Sequence, residues 1–340
     1  MKLTWEKIEN KDIIFLENNY ANLKLDKKIK TYKLSNKEIN IRYLIKAIIK
    51  YFFSFKRLSL KENYIIEIFE NCKPKIVFGY AYNFFLFKIK KIYPNIKSLM
   101  YMHFAMRKEQ FAEYKSILKR GEVDCIFLSN PREKIFLKKF IKSKFIISGF
   151  LKNNEIKSKI NKKEYDVMII SEYRDNMEVK KKNIMIASLS KLSETIKKNK
   201  LKLCIALVSN RKEKVQKVSF KNELEFYQNL GLKFYYSNES SYELANRSKI
   251  IFCLNSNLGY ELIARKYRVF FFNVKNNIYL KKYPFATNVL NRKFEKLIIM
   301  LKNINKKKFE KLLSNSKVNF YFDQNNKIVK NHIKKIINEQ

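Results

Sequence analysis

The sequence predicts an α/β protein of two doubly wound domains followed by a helical tail, on three observations. Short apolar runs alternate with longer segments of helical periodicity along most of the chain. The alternation breaks once, near residue 155, and then restarts. The runs are rich in Ile, Val and Phe, as strands of parallel sheets covered on both faces require. A chain of 340 residues also exceeds what one hydrophobic core usually supports.

Residues 12–18 (DIIFLEN) read as the first strand. Residues 41–55 carry Ile41, Leu44, Ile45, Ile48, Tyr51, Phe52 and Phe55 against Arg42, Lys46, Lys50 and Ser54, the period of an amphipathic helix. Two readings of that helix stay open: its apolar face enters a core, or it lies on an anionic membrane leaflet. Strands follow at 75–80 (KIVFGY), 97–103 (KSLMYMH), 123–130 (VDCIFLSN) and 144–150 (KFIISGF). The stretch 151–165 is polar, lacks a core stripe and reads as a linker or linker helix.

The second block alternates strand and helix: 165–171, 180–199, 202–209, 220–231, 233–237, 240–248, 249–255, 258–267 and 268–274. The expected division is a Rossmann-like domain at 1–152, a second at 165–290 across a cleft from it, and a basic helical tail at 291–340.

Lys and Arg number 73 against 31 Asp and Glu, a net charge of +42. The lysines are spread along the chain and arginine is scarce, so nucleic acid is not the expected partner. A basic surface still favours an anionic ligand such as a phosphate, nucleotide or acidic headgroup. Cys72, Cys125, Cys204 and Cys253 are far apart and form no C-x-x-C pair, which predicts buried, reduced thiols. The N-terminus lacks a signal-peptide core, no stretch is apolar enough to span a membrane, and a cytoplasmic chain is expected.

Doubly wound sheets bind ligands outside the carboxyl ends of their strands, so the turns after strands carry the candidates. The stretch CLNSNLGYEL contains one of only five glycines. Ser256 or Asn257 can cap the helix that follows, and Gly259 permits close backbone approach. The amides from Ser256 through Leu258 to Gly259 can grip a phosphate at the helix N-terminus, and Glu261 can take ribose hydroxyls. Ordinary capping with helix–sheet packing by Gly259 explains the same pattern. Ser240 and Ser241 open ESSYEL, where Ser240 and Glu243 also fit a capping box. Arg211, Lys212 and Arg174 follow strands, where they can neutralise a diphosphate or simply be solvated. His103 ends a strand and is the candidate base; His332 reads as surface. No metal-ligand spacing, P-loop, D-x-D or G-x-G-x-x-G occurs.

The segment SKIIFCLNSNLGYELIARKYRVFFFN resembles the S-T-L-G-Y-E-x-x-x-R-G-K-x-V-x-F pattern of bacterial surface-carbohydrate biosynthesis proteins with a GT-B-like fold. NELEFYQNLG and SSYELANRS precede it in that family's order, and residues 73–107 resemble its first-domain segment, so the likeness runs roughly over residues 65–290. Asn257 stands where the family has Thr, Lys266 where it has Gly, and HFAMR where it has a Q-N-G-x-R-like motif.

The resemblance implies a metal-independent glycosyltransferase of lipopolysaccharide, capsule or other surface-glycan synthesis. Its nucleotide-sugar donor would be held by the second domain and its glycan or lipid-linked acceptor met by the first, with no bound cofactor. It would work in the cytoplasm, at the inner face of the membrane if the helix 41–55 rests there. The alternatives are a CDP-polyol phosphotransferase or UDP-sugar epimerase on the same fold, or a non-catalytic protein binding RNA or a glycan-assembly complex.

Overall fold

The computed structural model describes residues 2–16, 23–34, 38–53, 58–81, 83–102, 104–105, 112, 121–157, 162–209, 219–254, 256–272, 277, 279–287, 291 and 293–339. The chain forms two compact units, one of residues 1–156 with 321–340, the other of 157–320.

In the first unit, β1 (Lys2–Thr4) pairs in parallel with β4 (Glu38–Asn40). The main sheet holds β2 (Ile13–Phe15), β3 (Thr31–Lys33), β5 (Ile76–Tyr80), β6 (Lys97–Tyr101), β7 (Gly121–Leu128) and β8 (Ile141–Ile147). Its order is β3-β2-β5-β6-β7-β8, with every pairing parallel. The crossovers include α1 (Ile41–Phe53), α2 (Leu60–Cys72), α3 (Phe85–Ile92) and α4 (Pro131–Leu137). Phe15, Phe78, Tyr101 and Phe127 form a row of rings across four neighbouring strands. Val329 and Ile333 of the last helix, α12 (Lys327–Glu339), pack onto that row.

His332, on the same helix, is a correction to the surface reading. Its ring lies edge-on to Phe127 at 5.7 Å. Burial, then Lys144 and Lys335, hold its pKa below the usual histidine value. A polar latch fixes the approach of the last helix. Asn326, fully buried, donates to Leu151 O at 3.0 Å and to Glu155 Oε1 at 2.9 Å, and accepts from Asn154 Nδ2 at 2.8 Å. The stretch read as a linker thus begins as the short helix α5 (Leu151–Glu155), whose Leu151, Asn153 and Asn154 are buried.

The apolar face of α1 does not enter the core. Its buried residues are Tyr43 and Ala47, while Ile45, Ile48, Ile49, Phe52 and Phe53 are exposed. Of the stripe expected to enter a core, Ile41 and Leu44 are half-buried and Ile45, Ile48, Tyr51 and Phe52 are exposed, while Phe55 lies outside the described residues.

The second unit carries β9 (Tyr165–Ile170), α6 (Val179–Lys198), β10 (Leu203–Ala206), α7 (Phe220–Asn229), α8 (Ser241–Asn246), β11 (Ser248–Cys253), α9 (Asn257–Ala264), β12 (Val269–Phe272) and β13 (Ala286–Thr287). The helices α10 (Phe294–Asn303) and α11 (Lys306–Asn315) follow. The sheet order is β10-β9-β11-β12-β13, all parallel. The strand expected at 233–237 shrinks to one parallel bridge, Tyr235 against Cys204, outside β10. Alternate residues of β12 face opposite helices: Phe270 and Phe272 meet Phe294 of α10, and Phe271 meets Tyr260 of α9. The uninterrupted run VFFF is what a strand covered on both faces needs. All four cysteines are free and buried.

Candidate functional site

With the Tyr235 bridge counted as a strand, the second sheet runs in the order 3-2-1-4-5-6. The chain reverses direction across the sheet between its first strand, β9, and its fourth, β11. Crevices at such reversals, beyond the carboxyl ends of the strands, are where doubly wound sheets take ligands. Two candidate segments leave those two ends: residues 171–174 after β9, and 254–261 after β11.

The loop after β9 is held by a carboxylate from α7. Glu223 is fully buried. It accepts from Ser171 Oγ at 2.5 Å, Val208 N at 2.9 Å, Ser209 N at 3.0 Å and Ser209 Oγ at 2.7 Å. One side chain thereby ties the end of β9 to the turn after β10. Asp175 adds a second tie, accepting from Ser219 N at 2.7 Å and Asn222 Nδ2 at 2.9 Å at the start of α7. Tyr173 is buried against Phe226 at 5.0 Å. Arg174 is half-buried and donates to Tyr173 O at 2.6 Å.

The turn after β11 is closed by its own groups. Ser256 is the N-cap of α9, its Oγ accepting from Leu258 N at 3.3 Å. Its own N–H meets Cys253 Sγ at 3.3 Å, and its carbonyl accepts from Gly259 N at 3.0 Å. The amides of Ser256, Leu258 and Gly259 are therefore engaged inside the turn. Asn257 begins the helix and is exposed; Leu258 and Gly259 are buried.

The glycine has a packing cause. A Cβ on Gly259 would lie 2.6 Å from Cys253 Sγ and 2.9 Å from Phe271 Cε1. The helix sits so close to β11 and β12 that no side chain fits, the part the third glycine of a dinucleotide fold plays. What approaches the glycine is the sheet beneath it.

Glu172 was not singled out from the sequence. Its Oε1 lies 3.9 Å from Cys253 Sγ, joining the ends of β9 and β11. Complete burial, followed by the charge of Glu172, pushes the Cys253 thiol well above its ordinary pKa. A glutamate directly after the block's first strand was the available signal, but one carboxylate in a charged loop does not stand out.

Glu261, one turn into α9, accepts a hydrogen bond from Tyr242 OH of α8. The Arg265 guanidinium stacks over the Tyr242 ring at 5.8 Å and is attracted by Glu261. The turn that opens α8 is therefore a neighbour of α9. Ser240 is the α8 N-cap in a complete capping box with Glu243, its N–H donating to Glu243 Oε2 at 2.8 Å. Ser241 is the first helical residue and half-buried.

Helix α9 ends in a Schellman motif: Lys266 N donates to Ile263 O at 2.9 Å and Tyr267 N to Leu262 O at 3.1 Å. Lys266 adopts φ +64°. That left-handed conformation is the reason a glycine belongs at this position in the resembled pattern. His103, Arg211 and Lys212 lie outside the described residues. Among the described residues no group of three or more His, Cys, Asp or Glu could hold a metal.

A family model described as "putative O-antigen biosynthesis protein" matches residues 104–337, more than half of the chain. None of the curated proteins matches it. Among solved structures, a "putative UDP-N-acetylglucosamine 2-epimerase from Listeria monocytogenes" is similar at a TM-score of 0.57 and 12% identity, with 98% of each chain covered. The wall teichoic acid polymerase TagF is similar at a TM-score of 0.50 and 15% identity, covering 97% of this chain and 90% of that one. At these identities the likeness is one of fold: two Rossmann-like domains of the GT-B-like kind.

Proposed function

From the premise that the chain belongs to this O-antigen biosynthesis family, we propose that it is a glycosyltransferase, moving a sugar from a nucleotide-activated donor to a surface-polysaccharide or lipid-linked acceptor. The observation that carries the reading is the reversal between β9 and β11. There the post-strand segments of the second unit bring Glu172, Arg174, Tyr242 and Glu261 to the carboxyl side of one parallel sheet.

In this reading Glu261, already accepting from Tyr242, takes the ribose hydroxyls. The diphosphate meets the positive end of α9 and the cations Arg174, Arg211 and Lys212. Since the Leu258 and Gly259 amides are bonded inside the turn, most of the neutralisation falls to those cations. The acceptor hydroxyl attacks the anomeric carbon, the bond to the leaving diphosphate breaks, and His103 takes the hydroxyl proton. The reaction runs without a metal, a reading supported by the missing D-x-D. The acceptor is presented at the cytoplasmic face of a membrane.

A thermal-shift screen of the full chain against UDP-, GDP-, CDP-, CMP- and dTDP-linked compounds tests this. One nucleotide class should raise the melting temperature, because a ligand that binds only the folded state must stabilise it. A flat response across the panel would remove the donor site. With the donor identified, Glu261→Ala should raise its KM by about 10- to 100-fold, the loss of a charge-assisted bond, with kcat far less affected. An unchanged KM in the folded variant would release Glu261 from the role.

A further inference from the structure

Helix α1 turns toward solvent the face that its sequence makes apolar. Ile41, Ile45, Ile48 and Phe52 recur at i, i+4, i+7 and i+11, one stripe along the helix. Ile45, Ile48 and Phe52 are exposed, with Ile49 and Phe53 beside them; Phe52 and Phe53 are 75% and 82% exposed. The opposite face does the packing. Tyr43 and Ala47 are buried there, and Lys50 reaches Glu67 at 3.0 Å and Glu70 at 2.9 Å on α2. Neighbouring β1 exposes Leu3 and leads into Trp5, also exposed. Single exposed apolar residues are ordinary, whereas a contiguous stripe of them marks a docking surface.

The geometry points to an anionic lipid bilayer as the occupant. Helix α1 carries Arg42 and Lys46 beside the exposed stripe and no acidic residue, its Lys50 being paired on the packing face, on a chain of net charge +42. A second copy of the chain, equally positive, would be repelled from this face, whereas an acidic leaflet attracts it. The leaflet also offers an apolar layer beneath its charges, which a basic helix with an apolar stripe enters lying flat. At 13 residues α1 is far too short to cross. The surface deepens the reading of a lipid-linked acceptor and rests on it for its purpose. Its test uses neither donor nor acceptor, so the two fail separately.

The test is co-sedimentation of the full chain with vesicles of phosphatidylcholine alone and of phosphatidylcholine mixed with phosphatidylglycerol. Binding is expected to the mixed vesicles, weakened by salt, with a blue shift of Trp5, the only tryptophan. Ile45→Ser with Phe52→Ser should reduce it by at least about tenfold, given the apolar area withdrawn from the bilayer. Phe220→Ser, at an exposed aromatic of the second unit, should leave it unchanged. Equal binding by wild type and the double variant would overturn the proposal. So would equal binding to neutral vesicles, or a concentration-dependent dimer that the double variant abolishes. Trp5 emission unmoved on bound vesicles would take the β1 edge out of the surface.

Discussion

Lys266 stands at a left-handed backbone position that closes α9. An L side chain there costs about 1 kcal/mol relative to glycine, and its exposed pair with Glu310 at 3.3 Å returns little of that. Lys266→Gly should therefore stabilise the protein by about 1 kcal/mol, read from the urea midpoint; a lower midpoint would contradict the backbone argument. Gly259 makes the opposite case. Gly259→Ala should destabilise by about 1–3 kcal/mol through overpacking, and adding Cys253→Ala should recover part of it, since Sγ is the nearest atom to the new methyl. Full additivity of the two changes would place the strain elsewhere. The sequence carried this glycine's position but not its packing cause: spacing alone fits a packing contact and a phosphate turn equally, and the 2.6 Å approach of Cys253 reveals the packing contact.

Among elements, helix α7 shows what periodicity misses. Glu223 occupies a helical position that reads as an ordinary charged residue, yet it is fully buried and accepts from two strand-end turns. Its partners are 14 to 52 residues away in sequence, beyond any local pattern. Glu223→Gln sets an amide N–H₂ against donors that now meet a carboxylate oxygen, and should cost about 1–3 kcal/mol by denaturant titration. Unchanged stability would mean that the turns hold themselves. The strands β5, β6, β9, β11 and β12 were legible because parallel strands buried on both faces are continuous apolar runs. The segments α2, α4 and β3 were not read, since each mixes charge with apolar residues: β3 is TYK, and α4 is PREKIFL with its buried Glu133 bonded to Ser129. Periodicity gave α1 its helix but not its partner, because it does not say which face of a helix meets the protein.

At the scale of the whole chain, the GT-B-like fold was legible in the strand–helix alternation and in the resemblance over roughly 65–290, which the family match over 104–337 overlaps. The closing course of the chain was not. Residues 291–320 belong to the second unit and 321–340 to the first, because the Asn154–Asn326 latch and the seat of α12 against Phe127 are contacts across more than 170 residues of sequence. In the proposed function, an activated sugar donor is held beyond the strand ends where the second sheet reverses. Hydrogen–deuterium exchange of the full chain with and without its stabilising nucleotide sugar tests this most directly. Slowed exchange is expected in peptides covering residues 171–174, 240–242 and 256–261. Protection confined to other segments would contradict it.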